Sequence, residues 1–195
     1  QKSLEGYLEQ KRGKFPRFYF VSNPVLLLIL SQGSDPLQMQ PYYEKVFDSI
    51  DRVTHSRADK QMITEIQSII GSTKETIPMI SPVKAHGNIE DWLGEIEMEM
   101  QRTMKRLAED ASIACTSMPM RQFVDKSCGQ FALLGIQIMW TVACHEALSN
   151  AKKNKGGVVE NKRQQGAILS ELSGWCLEDL GSKMNRVKIE TLVTI

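Results

Sequence analysis

The chain has 195 residues, of which 24% are charged and 42% hydrophobic, and its net charge is +1 at pH 7. This is the composition of an ordinary soluble globular protein, long enough to bury a sizeable core. The near-neutral charge gives no electrostatic basis for binding nucleic acid or an anionic membrane, so we expect neither as a partner.

The termini and the cysteines suggest the context of the chain. Both ends fall within helical patterns and no signal peptide is present, so we interpret the chain as an internal segment excised from a longer protein. The cysteines are widely spaced without a CxxC motif, and we expect free thiols in a reducing compartment. They are Cys115, Cys128, Cys144 and Cys176.

A helix followed by a short strand is predicted at the start of the chain. Residues 1 to 12 have helical periodicity. Phe15-Pro16 ends this helix, because the residue before a proline is pushed toward extended geometry. Basic and aromatic residues alternate in residues 17 to 21, which predicts a strand.

A second helix is predicted to about Gln32. Ser22 or Asn23 is its cap, and Pro24 lies in its first turn. Residues 25 to 30 carry no charge, so most of the circumference of this helix should be buried. This apolar run is too short to cross a bilayer.

The next segment predicts a helix and then a hairpin. Pro41 opens a helix that is expected to run through Ile50. Residues 62 to 70 and 75 to 80 flank the polar turn "GSTK", which predicts a β-hairpin. The first arm also fits a helical period, so a helix is the alternative there.

Long amphipathic helices are predicted in the second half. Asn88 caps a helix whose apolar residues recur at helical spacing. A second long helix runs from about 129 to 152, and a last one from about 158 to 186, before a final helical piece. The apolar stripe of the first of these helices is Ile89, Trp92, Leu93, Ile96, Met100, Met104 and Leu107.

The chain lacks the common motifs of nucleotide and metal enzymes. It contains no GxxxxGK[ST], no GxGxxG and no HExxH, so we assign it no enzyme activity of its own. Cys144 and His145 are adjacent on a helix, where their side chains diverge by about 100° and do not meet. We interpret them as a coincidental pair rather than a nucleophile and base.

Three further clusters are interpreted as ordinary surface or core. Glu95, Glu97 and Glu99 are expected on a solvated helix face rather than in acid–base catalysis. The lysines of "KKNK" (152 to 155) and "NKRQQ" (161 to 165) predict a solvated connection, with contact to an acidic partner surface as the alternative. The numerous methionines indicate adaptable packing.

Residues 1 to 36, "QKSLEGYLEQKRGKFPRFYFVSNPVLLLILSQGSDP", strongly resemble the linker region of dynein heavy chains. That family shows "FPRF.F.S...LL.IL" here, usually with an acid where this chain has Leu28. "HGNIEDWLGEIEMEMQRTMK", "GQFALLGIQIMWTVACHEAL" and "RVKIETLVTI" resemble later family segments in the same order. The likeness therefore extends over nearly the whole chain. Its finer details resemble the gamma-type heavy chains of axonemal outer arms.

The resemblance implies a mechanical function. The linker of these motors is a mostly helical lever across a ring of AAA+ modules, and this segment would be its C-terminal half. We expect an elongated antiparallel helical bundle with a small β-hairpin or short antiparallel sheet, mainly α. Residues 1–87 would hold helices and the β element, and residues 88–195 the long-helix bundle. ATP and Mg²⁺ would act in the AAA+ ring, with no cofactor or metal in this segment.

The expected site is mechanical rather than chemical. We predict structural anchors at Phe15, Pro16, Phe18 and Phe20, and at the tryptophans Trp92 and Trp140. Arg17 is expected either to form a local salt bridge or to contact the AAA+ ring.

The resemblance also implies partners and a location. The partners would be the AAA+ ring of the same chain and, through the parent, microtubules and dynein intermediate and light chains. The location would be the cytoplasm and cytoskeleton, in the axoneme of a cilium or flagellum. The rival function is a helical scaffold that docks other subunits, and such a scaffold would expose a broad apolar patch.

Overall fold

The computed structural model describes residues 2–33, 35–70 and 73–195, without the side chains of Lys2, Ile69 and Ile70. The chain forms two compact units, Gln1–Met104 and Lys105–Ile195. The boundary lies further along the chain than the predicted division at residue 87, because the first turns of a long helix pack with the first unit. The predicted fold class, mainly α with a short antiparallel sheet, is confirmed.

The first unit opens with three α-helices and two 3-10 helices. In chain order these are α1 (Lys2–Lys14), a 3-10 helix (Pro16–Phe20), α2 (Asn23–Gln32), a second 3-10 helix (Pro36–Tyr42) and α3 (Tyr43–Val46).

The predicted strand at residues 17 to 21 is wrong, because this segment is the first 3-10 helix. The amide of Phe18 donates to the carbonyl of Phe15 at 3.0 Å, and the amide of Val21 donates to that of Phe18 at 3.3 Å. In a 3-10 turn, residues i and i+3 share one side, so Phe15 and Phe18 both face the core. The aromatic residues reflect packing here and not strand pairing.

The second predicted helix is confirmed as α2, with Ser22 at its N-cap. Its burial is less complete than predicted. Leu26 and Ile29 are fully buried, but Leu27 is 37% exposed and Leu28 is 48% exposed. Only one stripe of this apolar helix therefore faces the core.

A three-stranded antiparallel sheet follows, with strands β1 (Ile50–His55), β2 (Met62–Ile70) and β3 (Thr73–Lys84) in the order β1-β2-β3. The predicted hairpin is confirmed as β2 and β3, and the helical alternative for its first arm is wrong. The turn residues Gly71 and Ser72 lie outside the described residues.

The helix predicted from Pro41 through Ile50 is wrong in its second half, where the chain turns into β1. The α3 helix ends at Val46 because Phe47 has extended backbone angles. Ser49 then adopts a left-handed conformation, with φ of 64°. The apolar residues that fit one helical stripe in the sequence thus belong to two elements, α3 and β1.

Helix α4 (Ile89–Ser117) lies against the edge strand β3. The backbone amide of Ser81 donates to the Glu99 carboxylate at 2.7 Å, and that of Ile80 donates to the Thr103 hydroxyl at 3.2 Å. The β2–β3 register is irregular at this point, which frees these amides from the ladder. Two helix side chains therefore accept hydrogen bonds from strand amides that the β2–β3 ladder leaves unpaired.

The second unit contains four further helices: α5 (Met120–Lys126), α6 (Gly129–Ser149), α7 (Gly157–Trp175) and α8 (Lys183–Thr194). The single helix predicted from 158 to 186 is wrong, since the chain breaks between α7 and α8. Gly181 takes a positive φ of 67°. The Ser182 hydroxyl then accepts the amide of Asn185 at 3.0 Å and caps α8.

Side chains fix the ends of these helices to one another. Lys188 of α8 is buried and donates to the carbonyl of Ser127 at 2.6 Å, just after α5. Arg121 of α5 lies 4.8 Å from the centre of the Trp175 ring and 3.1 Å from the Glu178 carboxylate. The predicted free thiols are confirmed at all four cysteines.

Among the described helices, α6 alone is long and apolar enough to cross a bilayer by length and composition. Its most apolar 18-residue window has a mean hydropathy of 1.4, and 17% of that window is buried. These two properties do not by themselves separate a membrane span from an apolar helix that packs against protein.

We predict that Gly135→Ala destabilises the chain by about 1–3 kcal/mol through overpacking. A Cβ at this position of α6 would lie 3.0 Å from the Cβ of Cys115 and closer still to the Phe123 ring. Urea unfolding of the 195-residue chain measures the effect.

The matched control is Gly166→Ala on α7, where a new Cβ meets nothing within 4 Å. It should raise stability by about 0.5–1 kcal/mol through helix propensity. Equal effects of the two substitutions would contradict the close approach of α6 to Phe123.

Candidate functional site

The densest aromatic contact in the first unit is where α1 ends and α2 begins, in residues 15 to 21, which we name the aromatic corner. Phe15 is 2% exposed and Phe18 is fully buried. Their rings meet edge to face, with centroids 5.0 Å apart and an interplanar angle of 81°. The Phe47 ring lies 6.0 Å from that of Phe15 and joins α3 to the corner.

Arg12 fastens the end of α1 to the corner. Its guanidinium donates to the carbonyls of Phe18 at 3.4 Å and Val21 at 3.3 Å, and to the Asn23 side chain at 2.7 Å. It also lies 5.7 Å from the centre of the Tyr19 ring. One planar cation thus holds the 3-10 helix and the start of α2 together.

Arg17 of the aromatic corner contacts α4. Its Nε donates to the Glu97 carboxylate at 3.0 Å. Its guanidinium lies 5.1 Å from the centre of the Phe47 ring. Of the two roles left open for Arg17, the local salt bridge is present, and a contact with an AAA+ ring stays a prediction.

A second ion pair joins α1 to the first turn of α4. The Lys11 ammonium donates to the Glu90 carboxylate at 2.5 Å, and Lys14 lies 3.5 Å from the same oxygen. The Glu90 side chain is only 1% exposed. Burial opposes its ionisation, but the hydrogen bond from Lys11 and the nearby positive charges together lower the pKa of Glu90. The same hydrogen bond raises the pKa of Lys11.

The three glutamates predicted on one solvated face have three different environments. Glu95 is exposed. Glu97 pairs with Arg17, and Glu99 is 8% exposed and holds β3. The prediction is wrong for Glu99, because its partner is a strand amide that helical periodicity does not reveal.

The Cys144 and His145 side chains diverge on α6. The Cys144 sulfur accepts from the Asn161 amide of α7 at 3.4 Å, whereas His145 is exposed. Within the described residues, no group of three or more His, Cys, Asp or Glu side chains could hold a metal ion.

The predicted anchors divide into buried and exposed residues. Trp92 on α4 is 1% exposed and lies in the same core as Phe15 and Phe18. Phe20 is 77% exposed and Trp140 is 55% exposed. The mechanical role of the anchors stays a prediction.

Sequence reasoning missed the Lys11–Glu90 ion pair and did not identify Glu97 as the partner of Arg17. Lys11 and Glu90 are separated by 79 residues, and Arg17 and Glu97 by 80. The nearly equal separations place α1 and the 3-10 helix along one stretch of α4. The sequence did hold one signal for these pairs, since the last turn of α1 is basic and the first turn of α4 is acidic.

These contacts join α1 and the 3-10 helix to α4, in a unit built of helices and a short antiparallel sheet. Residues 1–111 match the sequence model of the family described as "Dynein heavy chain, N-terminal region 2". The chain therefore belongs to the dynein heavy chain family.

Curated relatives match over the whole of this chain. It is 40% identical to axonemal dynein heavy chain 5 of Rattus norvegicus, of which it covers 6%. It is 37% identical to the flagellar outer-arm dynein gamma chain of Chlamydomonas reinhardtii and 33% identical to the dynein-1-beta heavy chain of the flagellar inner arm I1 complex of the same organism. The chain covers 4% of each of these two, so it spans a small part of the length of its relatives.

We predict that Phe18→Ala lowers the free energy of unfolding by about 3–5 kcal/mol, because it opens a cavity beside Phe15. Phe20→Ala is the matched control, because this ring lies two residues away and is exposed. It should change the free energy of unfolding by less than about 0.5 kcal/mol. Urea unfolding of both variants compares them. Equal losses would show that the corner does not anchor this unit.

We predict that Lys11→Met destabilises the chain by about 2 kcal/mol at neutral pH, because it leaves the Glu90 carboxylate buried without its closest cation. In the native chain the lowered pKa of Glu90 contributes stability above the ordinary carboxyl pKa, and this contribution is lost as the pH falls through the lowered value. In the variant, burial raises the pKa of Glu90 instead, so acid should narrow the difference between the two chains.

Lys14→Met is the control for Lys11→Met. The Lys14 side chain is 49% exposed and its distance to Glu90 is longer, so its loss should cost less than about 0.5 kcal/mol. Unfolding curves at neutral and acidic pH supply the comparison. A Lys11→Met deficit that stays constant with pH would contradict the ionic basis of this contact.

Proposed function

We propose that this chain is part of the C-terminal half of a dynein linker and acts as a lever segment. In this proposal, ATP-driven changes of the AAA+ ring move the lever and produce the power stroke along a microtubule. The observation that carries the proposal is the aromatic corner, where a buried aromatic pair and three ion-paired or hydrogen-bonded cations fix the junction of α1, the 3-10 helix and α4. Close-packed interiors have low compressibility, so such a junction passes on displacement with little loss.

The remaining assignments follow from the family. ATP and Mg²⁺ would act in the AAA+ ring of the parent motor ATPase, and this segment would have no catalytic role. Its partners would be that AAA+ ring and, through the parent chain, microtubules and the intermediate and light chains. The relatives are axonemal and flagellar heavy chains, which agrees with a location in the axoneme of a cilium or flagellum. We further propose a gamma-type outer-arm chain.

A helical scaffold is the second candidate, and α6 supplies the observation that favours it. Trp140 is 55% exposed, Val142 is 50% exposed and Leu148 is 65% exposed on this helix. Unpartnered apolar side chains of this size are typical of surfaces that meet another protein. A lever also needs an apolar surface where it meets its AAA+ ring. The exposed side chains of α6 therefore fit both functions, and an experiment is needed to distinguish the lever from the scaffold.

The separating experiment exchanges the charges of Arg17 and Glu97 in a full-length heavy chain. Arg17→Glu alone places two carboxylates together and should cost about 1 kcal/mol of stability. If stiffness of the corner transmits force, this variant should glide microtubules more slowly while its ATPase continues. The double variant Arg17→Glu, Glu97→Arg restores the ion pair and should recover both stability and gliding velocity.

Other outcomes distinguish the remaining functions. If the double variant recovers stability but not velocity, Arg17 contacts the AAA+ ring directly and the local pair is not its role. If gliding is normal in every variant while intermediate or light chains are lost, the segment is a scaffold. Arg57→Glu, at an exposed arginine, is the control for a simple change of charge.

A further inference from the structure

The turn between α6 and α7 presents lysines and apolar side chains on one small surface of the second unit. We name residues 148 to 159 the lysine tip. Lys152, Lys153 and Lys155 are exposed, as are Leu148 in the last turn of α6 and Val159 in the first turn of α7. Because one helical turn rises about 5.4 Å, these side chains all lie near the same end of the helix pair.

The positive charge of the lysine tip is not neutralised by Glu160, the nearest acid along the chain. Glu160 is held by Arg163, which donates to it at 2.7 and 2.9 Å. This hydrogen bonding lowers the pKa of Glu160 and leaves the carboxylate committed to that arginine. Within the described residues, no salt bridge is formed by Lys152, Lys153 or Lys155. Three cations are therefore available to a partner.

The tip is an ordered turn and not a loose run of charge. The Asn150 carbonyl accepts the amides of Lys153 at 2.9 Å and Asn154 at 2.8 Å. Asn154 in turn accepts the amide of Gly156 at its side-chain oxygen, at 3.2 Å, and that of Gly157 at its carbonyl, at 3.1 Å. A preorganised turn loses less conformational entropy on binding than a flexible loop of the same composition.

Apolar side chains give the tip a means of specific contact. Val159 is 71% exposed and Leu148 is 65% exposed, and together they flank the lysines. Protein interfaces combine apolar contacts, which hold the partners together, with charges that steer their association. A purely solvated connection does not require them.

We propose that the lysine tip docks an acidic protein surface that presents apolar side chains among its carboxylates. This inference goes beyond the lever function and does not depend on it. The three lysines select a partner of opposite charge. Val159 and Leu148 favour a partner that also presents apolar side chains over one that offers charge alone. An anionic membrane, a nucleic acid and a second copy of the chain are the other occupants, and the test separates them.

The probe is a helical peptide of glutamate and leucine, compared with a glutamate peptide of equal charge and no leucine. Fluorescence anisotropy with the 195-residue chain gives both dissociation constants. The Glu–Leu peptide should bind more tightly. The triple variant Lys152→Gln, Lys153→Gln, Lys155→Gln should weaken its binding about tenfold, and Val159→Ser about fivefold.

Matched controls remove the same chemistry elsewhere. Lys45, Lys60 and Lys84 are exposed, and their triple change to Gln removes equal charge. Ile113→Ser removes an apolar side chain of α4 that is 67% exposed. Both controls should change the dissociation constant less than twofold, and thermal melting should show every variant folded.

Several outcomes would overturn the proposal. Equal loss in the Lys45, Lys60, Lys84 control would mean that binding follows net charge and not this site. Equal binding of the two peptides, with no effect of Val159→Ser, would mean that the tip binds negative charge alone, without an apolar contact. Tighter binding to phosphatidylserine vesicles or to a single-stranded oligonucleotide would assign the tip to those ligands. Sedimentation showing self-association lost in the lysine triple variant would assign it to a second copy.

Discussion

The edge-to-face contact of Phe15 and Phe18 is the constraint on which the first unit depends. Burying both rings requires residues 15 and 18 to face the same way, which a 3-10 turn achieves and a strand does not. The turn leaves carbonyls that face Arg12, and it directs Arg17 toward α4. The ion pairs are thus consequences of where the aromatic pair sets the backbone.

Sequence patterns predicted the fold where one element supplies its own signal. The stripe on α4 was readable because Ile89, Trp92 and Ile96 recur at helical spacing and all three are buried. The start of strand β1 was not readable, since Phe47 and Ile50 fit a helical period although the backbone is extended at Phe47 and left-handed at Ser49. The break before α8 was hidden for the same reason, because apolar spacing continues across Gly181.

The candidate site was predicted in its residue types but not in its partners. Aromatic content drew attention to residues 15 to 20, where Phe15 and Phe18 are buried. It could not tell which ring faces solvent, because that follows from the turn geometry that exposes Phe20. Leu28 shows how a family pattern adds information. The family usually has an acid there, and the side chain is 48% exposed in this chain, as an acid would require.

Buried and half-buried ion pairs are poor sources of net stability, since desolvation offsets most of their attraction. Apolar residues of similar size at positions 11 and 90 would give comparable stability. Stability alone therefore does not explain why a charged residue, Glu90, occupies a position where its side chain is 1% exposed. What an ion pair adds is direction, because a carboxylate and an ammonium tolerate few relative positions once water is excluded. Arg17 with Glu97, about two helical turns further along α4, applies the same restriction a second time. Two such contacts fix both the position and the rotation of α1 and the 3-10 helix on α4. A hydrophobic contact alone is not directional and would restrict the sliding of these segments less.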